Sequence, residues 1–79
     1  MTHDSRNIEE LENRAEWFRT FSVGETYQID LNHPREIDSL YTSVHRFNRN
    51  DAKECGYKIT GQYDSTGLHA VFKTIPYTA

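Results

Sequence analysis

Seventy-nine residues with twelve acids, nine Lys or Arg and a net charge of −3 make one small domain and exclude a generic polyanion coat, which needs a strongly basic surface throughout. A single cysteine excludes an intrachain disulfide framework and suits a reducing compartment. No apolar run approaches the roughly 18 residues that span a bilayer, and the polar, acidic start MTHDSRNIEE differs from a secretory leader; the expected location is the cytoplasm, with no membrane partner.

The charge is unevenly spread. Residues 1–38 carry nine acids against four Lys or Arg, and residues 39–79 carry three against five. Such a division allows a local basic site, or head-to-tail pairing of protomers. Small size adds to the case for a homodimer, because a chain this short buries only about 60–65% of its unfolded surface.

In chain order, residues 1–6 read as a flexible tail ahead of a single domain over 7–79. Asn7 is a good helix N-cap, and Ile8, Leu11, Ala15, Trp17, Phe18 and Phe21 recur at helical spacing, predicting a helix near 8–21. Glu9, Glu10, Glu12 and Glu16 occupy its other side. That side is solvated, mimics phosphate charge or meets a basic partner, with Glu9, Glu12 and Glu16 as candidate contacts. Gly24 marks a turn. Tyr27, Ile29 and Leu31 then alternate with polar residues, predicting a half-buried strand near 25–31.

Residues 34–55 read as one long helix. Pro34 suits its first position, Glu36 its first turn, and Gly56 a left-handed close. Ile37, Leu40, Tyr41, Val44, Phe47, Ala52 and Cys55 share one arc, which makes Val44 and Phe47 core residues. Arg35, Thr42, Arg46, Arg49 and Lys53 lie opposite, with Ser39 and Asn50 at the edge. Asn48 and Asp51 project toward the apolar arc. An unpaired buried carboxylate is costly, so either the helix bends there or these two groups find partners.

After Gly56 the period falls to two. Strands are predicted near 57–63 and 68–75, joined by a hairpin loop at Asp64–Gly67; Gly61 marks a bulge or a close backbone approach. The fold class is α+β in the order α-β-α-β-β, with a three-stranded antiparallel sheet and two helices packed on one face. His3, His33, His45 and His69 are scattered and Cys55 lacks a neighbour at ligand spacing, so no metal site is expected. No Gly-rich phosphate loop or catalytic constellation is present. The expectation is a non-enzymatic chain without catalytic residues or cofactor.

The segments FSVGETYQID, SLYTSVHRFNRN and GYKITGQYDSTGLHAVFK resemble small bacteriophage-encoded accessory proteins. Those carry a Val-Gly-Glu turn before a strand, a Ser-Leu helix with Arg, and a hairpin opened by Gly-aromatic-Lys. The matching positions are Val23-Gly24-Glu25, Ser39-Leu40, Arg46, Arg49, Gly56-Tyr57-Lys58 and Val71-Phe72-Lys73. The resemblance spans residues 21–75 and implies a protein that binds a host or phage macromolecule. Two partners fit. One is a host protein, whose machinery the chain would inhibit or modulate by docking through the acidic helix or a sheet edge. The other is nucleic acid, held by phosphate contacts from Arg35, Arg46, Arg49 and Lys53, with Asn50 reaching a base edge.

Overall fold

The computed structural model of the chain describes residues 6–78. Among them are strands β1 (Arg6–Asn7), β2 (Thr26–Asp30), β3 (Tyr57–Asp64) and β4 (His69–Pro76), and helices α1 (Arg14–Arg19), α2 (Glu36–Asn50) and α3 (Ala52–Cys55). The sheet order is β1-β2-β4-β3. β4 runs antiparallel to both neighbours, as the alternating pattern requires. The expected three-stranded antiparallel sheet is therefore a four-stranded mixed one, because β1 adds in parallel along β2, pairing Arg6 with Ile29 and Asn7 with Asp30. The side-chain amides of Asn7 and Asn32 exchange two hydrogen bonds, of 3.0 and 3.1 Å, and hold that segment in place. Of the expected tail, Arg6 is thus part of the sheet; residues 1–5 lie outside the described residues.

The first predicted helix is also corrected. Asn7 caps as its residue type suggests, accepting from the Glu9 N–H at 3.0 Å, but it opens only a 3-10 turn over Ile8–Glu10. The chain extends again before Asn13 (φ −142°) accepts from the Glu16 N–H at 3.2 Å and starts α1. Asn13 and Glu16 have the spacing of a helix start. This second start divides what periodicity alone reads as one helix.

The long helix is interrupted at Asp51 (φ −114°), between α2 and α3. Both expectations for its polar inward residues hold. The helix breaks, and the groups find partners: Asp51 accepts from Arg19 at 2.7 Å, and Arg19 also reaches Glu54 at 3.2 Å. Asn48 forms a two-point clamp on β3, donating to the Ile59 carbonyl at 2.8 Å and accepting from the Ile59 N–H at 2.9 Å. Pro34 and Arg35 sit in the turn before α2, where the Glu36 carboxylate accepts from the N–H groups of Asn32 and His33 at 2.7 and 2.8 Å. Gly56 closes α3 with φ +85°.

The helices pack on one sheet face, as the two apolar stripes demand. Phe18 is fully buried, with ring centroids 5.8 Å from Phe47 on α2 and 5.7 Å from Phe72 on β4, both edge-on. Tyr57 donates its hydroxyl to the Phe18 carbonyl. Ile29, Leu40, Val44 and Ile59 complete the centre. The β3–β4 register runs unbroken through Gly61, so no bulge forms there. A Cβ at Gly61 would stand 2.8 Å from the Tyr63 hydroxyl oxygen and 3.1 Å from Phe72 Cδ1, so the glycine leaves room for these side chains rather than for a close backbone approach. No helix among the described residues is long and apolar enough to cross a membrane.

Truncating Phe47 to Ala leaves a void between α1, α2 and β3; urea melts are expected to show a loss of about 3–5 kcal/mol. Asn48→Ala leaves both polar groups of buried Ile59 without partners and should cost about 1–3 kcal/mol for each. Asn50→Ala, on the exposed side of the same helix, should stay within about 0.5 kcal/mol of the parent.

Candidate docking groove and basic helix face

The break at Leu11–Asn13 re-aims the acidic side chains. Glu10, Glu12 and Glu16 line a groove of about 720 Å³ with Arg6, Leu11, Asn13, Trp17, Thr20 and Tyr27. Glu9, expected on the same face, is exposed but does not line it; a continuous helix would have grouped Glu9 with Glu12 and Glu16. Trp17 is half-buried, wedged edge-on against Phe21 at 4.8 Å and Phe72 at 5.9 Å. The end of the groove is equally well fixed. Tyr27 stacks on Phe21 at 3.8 Å and accepts the Ser22 N–H through its hydroxyl at 2.7 Å. Three carboxylates against one guanidinium, around an indole held by the core, form an anionic site with an aromatic wall.

Leu11, Glu12 and Asn13 form a ridge, and behind it lies a second cleft of about 450 Å³ that reaches Arg46 and Asp51. Arg14 spans this cleft and donates to Ser39 on α2, tying the two helices together by a polar contact as well as by Phe18.

The basic residues predicted on the long helix separate into three places. Arg46, Arg49 and Asn50 share an open cleft of about 300 Å³ with Thr42 and His45. Arg35 stands roughly three turns away, at the start of α2, with its Nε 3.3 Å from His33 Nδ1. Lys53 is exposed on α3, beyond the interruption at Asp51. His45 joins the cluster, and the signal for it was its position four residues after Tyr41 and four before Arg49. Among the described residues, no three His, Cys, Asp or Glu side chains are placed to hold a metal ion. Cys55 is half-buried against the core.

The sheet face away from the helices carries Lys58, Thr60, Gln62 and Asp64 on β3, with Lys73, Val71 and His69 opposite on β4. At its end the Asp64 carboxylate accepts from the N–H groups of Gly67 and Thr66, each at 2.9 Å. These two bonds hold its pKa below the ordinary carboxylate value, Gly67 contributing most. Comparison of the chain with protein-family models, curated proteins and solved structures finds no match in any of the three.

Because the folded-state pKa of Asp64 is lowered, its ionised form stabilises the fold above the unfolded-state value of about 3.9, and that contribution disappears as pH falls through the folded-state value. Asp64→Asn is therefore expected to be less stable than the parent at neutral pH and to converge with it in acid, as read by thermal melts across pH.

Proposed function

We propose that this chain is a small, non-enzymatic accessory protein of the phage type, acting in the host cytoplasm by docking on a host protein. The groove beside α1 is the docking site, and a basic segment of the partner is its occupant. The observation that carries the reading is the convergence of Glu10, Glu12 and Glu16 around the half-buried ring of Trp17. Carboxylates draw Lys and Arg to a site and set its salt dependence. An indole face adds cation–π attraction for a guanidinium, and Leu11 and Tyr27 receive the methylene stem of a long basic side chain.

Trp17 is the chain's single tryptophan and reports on the groove directly. Titration with an Arg- and Lys-rich peptide should change Trp17 fluorescence at low salt, with affinity falling as salt rises. Glu12→Lys combined with Glu16→Lys should weaken binding by about tenfold or more, while an acidic peptide leaves the signal unchanged. Equal binding by the parent and the charge-reversed variant would remove the groove as the docking site.

A further inference from the structure

The outer side of α2 carries two neighbouring columns of residues spaced four apart: Tyr41, His45 and Arg49 in one, Thr42, Arg46 and Asn50 in the other. All six are exposed. Tyr41, at 53%, is the most exposed of the large hydrophobic residues described. Its ring is nonetheless held, edge-on to His45 at 4.4 Å and to Tyr63 of β3 at 6.1 Å. Tyr63 is in turn braced by Phe72 at 6.0 Å, so the platform connects to the core. Arg46 and Arg49 have no carboxylate partner among the described residues, whereas Arg19 is engaged by Asp51 and Glu54.

We propose that this face binds a short single-stranded nucleic acid. A base stacks on Tyr41 beside Tyr63, and successive phosphates meet Arg49 and Arg46, with His45 between the aromatic and cationic ends. Oriented aromatic rings next to unpaired cations are the two elements of sequence-tolerant single-strand binding. Stacking requires an unpaired base, which favours a single strand over a duplex. Asp38, one turn before Thr42 on the same exposed side, repels phosphate and directs the strand toward Arg49. The acidic groove shares no lining residue with this cleft, so the inference stands independently of the docking reading.

Fluorescence anisotropy with labelled oligo(dT) and oligo(rU) of about ten nucleotides tests it. The parent should bind at about 50 mM salt, where electrostatic contacts are least screened, and more tightly than it binds a duplex of the same length. Tyr41→Ala should weaken binding about tenfold while Tyr41→Phe retains it. Arg46→Ala with Arg49→Ala should lower the salt slope by about 1.4, the value for two single-strand phosphate contacts. Glu12→Lys with Glu16→Lys should leave the Tyr41 dependence unchanged. The proposal is overturned by absent binding, by Tyr41→Ala binding like the parent, by a preference for duplex, or by an acidic peptide occupying this face in place of the oligonucleotide.

Discussion

Phe18 joins the two layers of the molecule. It projects from a helix of only six residues, too short to persist on its own propensity, and its ring fills the space between Phe47 of α2 and Phe72 of the central strand. The backbone around it is pinned at the same point by the Tyr57 hydroxyl on its carbonyl and by the neighbouring Arg19 on Asp51. With so small an interior, most of the apolar area must converge on a few aromatic contacts, and edge-to-face geometry lets them fill it without voids. The placement of α1, and with it the groove, depends on this contact.

Polar side chains then manage what the small core leaves unprotected. The outer margin of β2 is met by β1, itself secured by the paired amides of Asn7 and Asn32. On β3 the Asn48 amide occupies both backbone groups of Ile59, acting as a one-residue substitute for a neighbouring strand. An unpaired strand edge invites association, and here three asparagines dress the two margins of the sheet at little cost in chain length.

The uneven charge of the chain becomes a spatial division. Glu10, Glu12 and Glu16 gather around Trp17, while Arg46 and Arg49 line a cleft on the outer side of α2 with His45, whose ring centroid lies 4.4 Å from that of Tyr41. The acidic cluster lies around an aromatic ring held by the core, and the basic one shares His45 with Tyr41, which Tyr63 connects to the core. The proposed docking site and the proposed single-strand site rest on these two combinations.

The positions of β2, β3 and β4, most of the buried side of the long helix and its close at Gly56 were legible in the sequence, because periods of two and 3.6 and the left-handed demand on glycine are local properties; Tyr41, which its spacing places on the apolar arc, is instead exposed. Val44 and Phe47 could be assigned to the core for the same reason. The 3-10 turn, the restart at Asn13 and the parallel strand β1 were not legible from periodicity. They are settled by competition between continuing a helix and pairing Arg6 and Asn7 with β2, and that competition involves residues more than twenty positions apart. The sequence by itself also determined that Asn48 and Asp51 needed partners, since polar groups near a core cannot stay bare. Only the tertiary structure decided which partners they took, Ile59 and Arg19, and which acids and rings came together, because those distances depend on how the helices cross the sheet.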